Sequence, residues 1–327
     1  MKTKVIALFL CLTMTFALCA CAQKEPAPTP TPDPTEDVNA YTPVSFTNHG
    51  KEITLKAMPE KVVTAGPGCS EIMCMLGLEE SVIGKCMTNH TSAAPEEVSA
   101  AFDGIPELAV GYPTYYQIIE SGCDFFYASS WVFSDNLKIE DLENAGITVF
   151  VSDATDFEGL WAEIRTIGSI FLVSDISAEY ITQETAALGG VSALLAGVQP
   201  KTVMVCDSFI GTNIYVAGSS NFENALIAAA GAANVFAELE KPWAMVTEDA
   251  ILAANPEYLI IHNYKDSDAQ AKIDAIKADP VLSGLACVQN DRFIVLNLDD
   301  VMPGLRTAST VNTISAYIFP ELFEQSA

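Results

Sequence analysis

The sequence predicts an α/β protein of two parallel-sheet lobes joined by a single long helix. Three observations carry this. Short β-rich runs alternate with helical segments in both halves, the pattern of strand-helix-strand crossovers. Between the halves, residues 157–197 hold helical spacing with no β-rich run and no proline. The 327-residue chain is 50 % hydrophobic, enough core for two ordinary domains.

In the first half, "FTNHGKEI" reads as a hairpin ahead of the lobe. "KVVTAG" is a strand stopped by Gly66-Pro67-Gly68, and Ser70 is expected to cap a helix "EIMCMLG" ending on Gly77. "SVIGKC" follows as a strand, and "DFFYAS", "IEDLENAG" and "ITVFVS" form a strand-helix-strand crossover. In the second half "KTVMVCDS", "NIYVAG", "EYLIIHN" and "DRFIVLN" are strands. "NFENALIAAAG", "TEDAILAAN" and "DAQAKIDAIKA" between them have helical spacing.

The connector breaks near "VSDIS", where Ser174, Asp175 or Ser177 can cap a second helix of about Ser177 to Ala196. That helix would be roughly 30 Å long at 1.5 Å per residue, a strut between the lobes. Gly189-Gly190 inside it leaves room for a kink or an early stop. The expected layout is therefore 41–156 for the first lobe, 157–197 for the connector and 198–327 for the second lobe.

Residues 1–20 read as an export signal: Lys2 and Lys4, then an apolar run from Val5 to Ala20. The run is short of the 20 or so residues that span a membrane, though a retained anchor or an ordinary cut near Ala22 are alternatives. Leu18-Cys19-Ala20-Cys21 resembles the bacterial lipobox, with Cys21 as the lipidated new N-terminus and Cys19 a small residue of the box. Two acyl chains make a stable anchor. Residues 21–40, with Pro26, Pro28, Pro30, Pro32 and Pro34 alternating with Ala, Thr and Asp, form an extended tether. The expected location is the outer face of the cell membrane, reached only through the lipid.

Losing the signal removes two lysines and no acids, leaving 14 basic against 42 acidic side chains. Such a charge excludes nucleic acid as partner and opposes lying flat on anionic lipid. Cys69, Cys74, Cys86, Cys123, Cys206 and Cys287 form no C-x-x-C pair and sit in apolar runs, so they are expected as buried free thiols with no metal site.

Across nearly its whole length after the tether, the chain resembles the class III substrate-binding proteins of ABC importers, the cobalamin, ferric-siderophore and haem group. The carrying segments are "PEKVVTAGPGCSEIMCMLGLEESVIG" (59–84), "WAMVTEDAILAANPEYLII" (243–261), "DPVLSGLACVQNDRFIVLN" (279–297) and "MPGLRTASTVNTISAYIFPELF" (302–323). The resemblance implies two Rossmann-like lobes on one long backbone helix, a shallow ligand cleft between them, and a monomer working with an ABC permease and its ATPase. No intrinsic cofactor is implied; the ligand would be an iron-siderophore, a corrinoid or haem.

Ligands of open α/β sheets sit beyond the carboxyl ends of the strands. That rule selects Pro67, Gly68, Cys69 and Ser70, then Asn89, His90 and Trp131 in the first lobe. In the second it selects Ser208, Phe209, Trp243 and Tyr264, with Met302 and Arg306 in the 299–306 loop. Aromatics there suit the flat parts of a chelate, although each alone could equally be core. The strand-end loops offer chiefly Arg306, Lys241 and Lys265 as cations, which favours an uncharged hydroxamate or corrinoid complex over an anionic catecholate. Tyr112, Tyr115, Tyr116 and Tyr127 keep haem open. For permease docking, the resemblance implies one acid on each lobe: Asp249, beside Glu248, in the second, and a position occupied by Tyr116 in the first.

Catalysis has little support. "GPGCSE" carries Glu71 where a dinucleotide loop needs its third glycine, no G-K-[ST] occurs, and His49, His90 and His262 are the only histidines. A surface adhesion lipoprotein on the same scaffold is the rival reading.

Overall fold

The computed structural model describes residues 41–90, 92–210, 213–265 and 267–324. The expected signal, Cys21 and the tether lie outside them. Among the described residues no helix is long and apolar enough to cross a membrane.

The chain opens on the expected hairpin, β1 (Val44–Asn48) and β2 (Lys51–Leu55), turned by His49 and Gly50 at positive φ. The first lobe then runs β3 (Val62–Ala65), α1 (Pro67–Met75), β4 (Val82–Cys86), α2 (Glu96–Gly104) and β5 (Glu107–Ala109). It continues through α3 (Tyr115–Ser121), β6 (Phe125–Ser129), α4 (Ile139–Asn144) and β7 (Thr148–Ser152). Its five strands pair in parallel in the order β5-β4-β3-β6-β7. The chain starts at the centre of this sheet and winds outward both ways, so β3 and β6 flank the switch point.

α5 (Phe157–Ile170) and α6 (Ser174–Leu194) connect the lobes. α6 starts earlier than expected. The break falls at Leu172, which takes φ 59, and no side chain caps α6. α6 is an unbroken 21-residue helix through Gly189-Gly190, so neither glycine stops it. Ser70 is likewise not a cap: α1 begins at Pro67, whose fixed φ suits a first helical turn, and Ser70 lies inside it.

The second lobe holds β8 (Lys201–Cys206), β9 (Ser208–Ile210), β10 (Asn213–Ala217), α7 (Glu223–Ala229), β11 (Ala232–Asn234) and β12 (Trp243–Val246). It closes with α8 (Glu248–Ala254), β13 (Tyr258–Asn263), α9 (Ala269–Ala278), α10 (Ala286–Gln289), β14 (Phe293–Asn297), α11 (Thr307–Ile318) and α12 (Pro320–Phe323). The parallel sheet has the order β11-β8-β13-β14. "NIYVAG" is a strand but not a member of it. β10 pairs antiparallel with β9 and β12 in a separate three-stranded sheet, and β12 contains Trp243.

Burial follows the two-residue period of strands buried on both faces. Phe125 and Tyr127 share one core with Leu160 and Ile164 of α5, while Phe126 and Ala128 face Ile118 and Leu142 of α3 and α4. In the second lobe Val203, Val205 and Ile260 join the first of these cores with Val311 and Ile314 of α11. Met204, Leu259 and Ile261 turn to Ile251 and Ile273 of α8 and α9. One core thus runs under both lobes by way of the connector. The six cysteines after Cys21 are buried free thiols.

Candidate ligand-binding cleft

The carboxyl ends of β6 and β7 face the second lobe across a cavity of about 230 Å³. From the first lobe it is lined by Ser129 at the end of β6 and Trp131 just after it, and by Ser152 at the end of β7 and Asp153 just after it. From the second lobe come Asn221 and Phe222 before α7, Trp243 on β12, and Met302. Trp131 and Met302 line it from the loops the strand-end rule names, whereas Trp243 reaches it from the first position of the antiparallel strand β12 and not from a strand end; both tryptophans are half-buried.

Beside Trp131 an aromatic cluster crosses between the lobes. The His90 ring stacks on Tyr264, centroids 5.5 Å apart and planes within 10°, and lies 5.6 Å from Trp131. Tyr112 stands edge-on to Trp131 at 6.0 Å. His90 Nδ1 is 2.8 Å from Asn89 Oδ1 and donates to it, since an amide oxygen only accepts. Four of the expected residues, Asn89, His90, Trp131 and Tyr264, are thus brought together. On the far side Tyr215 stacks on Trp243 at 5.9 Å, and the buried His262 ring meets Trp243 edge-on at 5.8 Å.

The strand-end rule does not select His262, which lies inside β13. Its Nδ1 lies 3.1 Å from Asp207 Oδ1 and its Nε2 3.2 Å from Glu223 Oε1. Carboxylates only accept, so both ring nitrogens donate and the ring is an imidazolium. Burial alone would lower its pKa, but the charges and hydrogen bonds of Glu223 and Asp207 lift it to about 9. Behind Ser152 lies a second buried acid. Tyr127 Oη donates to Glu163 Oε1, and burial pushes the Glu163 carboxyl up to about 7 against the hydrogen bonds from Tyr127 and Ser152.

Several expected contacts sit elsewhere. Pro67, Gly68, Cys69 and Ser70 are buried and do not reach the cavity. Gly68 packs against the second lobe so closely that a Cβ there would fall 2.0 Å from the Pro303 carbonyl oxygen, and Ser70 Oγ is 2.8 Å from Thr64 Oγ1. Arg306 does not line the cavity either. It forks onto Glu71 and also pairs with Asp299 and Asp300, because the chain buries it at the lobe junction, where three carboxylates await it. Ser208 hydrogen-bonds Asp207, and Phe209 packs into the outer core of its lobe. Ser152 closes "ITVFVS" and Asp153 follows it, so both lie at a strand end, although the sequence reading does not include them.

Tyr116 is 72 % exposed in α3, and Glu248 and Asp249 form the first turn of α8 after the Thr247 cap. Both acids favour the positive end of that helix whatever else they do.

This architecture is shared. Structures of a periplasmic binding protein from Veillonella parvula (TM-score 0.75, 24 % identity, 84 % of this chain and 97 % of that one) and of an ABC-type Fe3+-hydroxamate transport system from Saccharomonospora viridis (0.74, 23 %, 84 % and 99 %) have the same fold. In sequence the chain is 25 % identical over 281 residues to the ABC transporter substrate-binding lipoprotein YvrC of Bacillus subtilis, covering 84 % of this chain and 85 % of that protein. It is 27 % identical over 214 residues to a cobalamin-binding protein of Halobacterium salinarum, covering 64 % and 55 % respectively. The profile described as "Periplasmic binding protein" matches residues 62–299, from the first strand of one lobe to the last strand-end loop of the other, and the chain belongs to that family.

Proposed function

We propose that this chain is the extracytoplasmic substrate-binding component of an ABC importer, capturing a metal chelate between its lobes and handing it to a permease. The carrying observation is the pair Trp131 and Trp243, one from each lobe, on a single cavity whose other walls mix apolar groups such as Phe222 and Met302 with hydroxyl and amide groups and the Asp153 carboxylate. Flat apolar walls with a few polar groups suit a chelate whose metal is already wrapped by its own ligand.

A ferric siderophore is the leading cargo, and a corrinoid the second reading, supported by the name of the Halobacterium salinarum relative. The cavity is below the several hundred Å³ of typical ligand pockets, so the His90–Tyr264 stack is expected to part as such a molecule enters. Lipidation at Cys21 and docking through Glu248 and Asp249, with Tyr116 on the other lobe, belong to the same proposal.

The test is gel filtration of the purified protein after incubation with ferric trihydroxamate, corrinoid and haemin in turn. One of them should co-elute at equal molarity. Elution of all three apart from the protein would sink the reading and favour a surface lipoprotein that adheres instead.

A further inference from the structure

We infer that the cleft selects metal chelates of zero or positive net charge and rejects anionic ones, with Asp153 as the selecting residue. The inference rests on the chelate-binding reading above and adds the ligand's charge class to it.

Among the described residues no Lys, Arg or His lines the cavity, and the buried cations near it are already committed. Arg306 donates to Glu71 at 2.6 Å and pairs with Asp299 at 2.9 Å and Asp300 at 3.0 Å. Its remaining bonds go to Ser92 Oγ and the Ala93 carbonyl. The His262 imidazolium is held between Asp207 and Glu223. Lys272 is buried, donates to the His262 carbonyl oxygen at 2.6 Å, and lies over the Tyr264 ring at 4.5 Å. Lys241 and Lys265 do not line the cavity.

Among the described lining residues Asp153 is the one ionisable side chain. Around it stand Ser129, Ser152 and Asn221, which hydrogen-bond a neutral periphery but supply no counter-charge. An anionic chelate would give up its hydration with no cation to replace it, and would meet Asp153 as a like charge. A cationic arm meets Asp153 and two tryptophans, residues that attract cations through charge and ring quadrupole. At longer range the formal net charge of −26 repels anions and draws cations.

The test uses probes of one shape and three charges. A ferric trihydroxamate with a free amine arm (cationic) is compared with its N-acetyl (neutral) and N-succinyl (anionic) derivatives; a corrinoid, its monocarboxylate and its amine derivative form the parallel set. Affinity should fall in the order cationic, neutral, anionic, and salt should narrow the spread. Asp153 is exposed, so its own share is modest. Asp153→Asn should shrink the cationic-to-anionic affinity ratio about three- to fivefold, and Asp153→Lys should shrink it further. Anionic probes binding as tightly as cationic ones, or a ratio unmoved in both variants, would overturn the charge inference while leaving chelate capture standing. Failure of every member of both sets to bind would remove the reading beneath it, and the inference with it.

Discussion

Arg306 Nη2 lies 2.6 Å from Glu71 Oε1, joining α1 of the first lobe to the start of α11 in the second across 235 positions of sequence. Asp299 accepts from the Ser92 backbone N–H at 2.7 Å, and Gly68 meets Pro303 and Gly304 backbone to backbone. The lobe junction is therefore a buried ionic clamp rather than a loose joint. Burial pushes Glu71 up to about 7, against the pull of Arg306.

Removing the cation leaves three carboxylates facing one another. Arg306→Met is expected to cost about 3–5 kcal/mol of unfolding free energy, as breaking a buried ion pair does. Glu71→Gln should cost less, because Asp299 and Asp300 still hold the guanidinium. Urea denaturation measures both. A loss below about 1 kcal/mol for Arg306→Met would mean the clamp contributes nothing net.

The clamp also limits motion. With α6 unbroken and Glu184 accepting from the Ala308 N–H at the start of α11, the lobes should close by a few degrees only. Scattering curves with and without saturating chelate should nearly superimpose. A marked compaction would show that Gly189-Gly190 bends after all.

His262 gives the stability a pH signature. Its folded pKa of about 9 lies above the ordinary 6.5, so its contribution is fully present below 6.5 and is lost as pH rises through 9. Relative to His262→Gln, the wild type should lose on the order of 3 kcal/mol of unfolding free energy between those limits. Parallel profiles for the two proteins would contradict the imidazolium assignment.

The strands and helices were largely legible because each declares itself within a few residues. "DFFYAS" and "EYLIIHN" are doubly buried runs, and Thr114, Thr247 and Asp268 cap their helices locally. What failed was what depends on distant partners. β10 looks like any apolar strand, and its antiparallel neighbours lie before it and some thirty residues after it. Gly66-Pro67-Gly68 reads as a stop, yet Pro67 starts a helix whose glycine is needed for contact with Pro303. Arg306 sits at a strand-end loop as a ligand residue would, and only the fold reveals the three acids that engage it. Trp131 was readable because it combines a strand-end position with a side chain too large to ignore, whereas Trp243 opens β12 and was marked out by its side chain alone.

Docking is testable apart from binding. The double variant Glu248→Lys, Asp249→Lys reverses two charges at the start of α8, away from the cavity lining. Chelate affinity in solution should hold, while stimulation of the reconstituted ATPase should drop at least tenfold, as expected when a close charge pair is lost. Full stimulation by that variant would place the docking surface elsewhere.

The most direct measurement of the central claim is tryptophan emission during titration with a coloured chelate. The chain has three tryptophans: Trp131 and Trp243 on the cavity, and Trp161 buried in α5. A ferric or corrinoid chelate seated between the first two should quench most of the emission at a single equivalent, leaving Trp161 bright. In the Trp131→Phe, Trp243→Phe double variant the remaining emission should hardly respond. Quenching that persists unchanged in that variant would remove both residues from the site and contradict the cleft assignment.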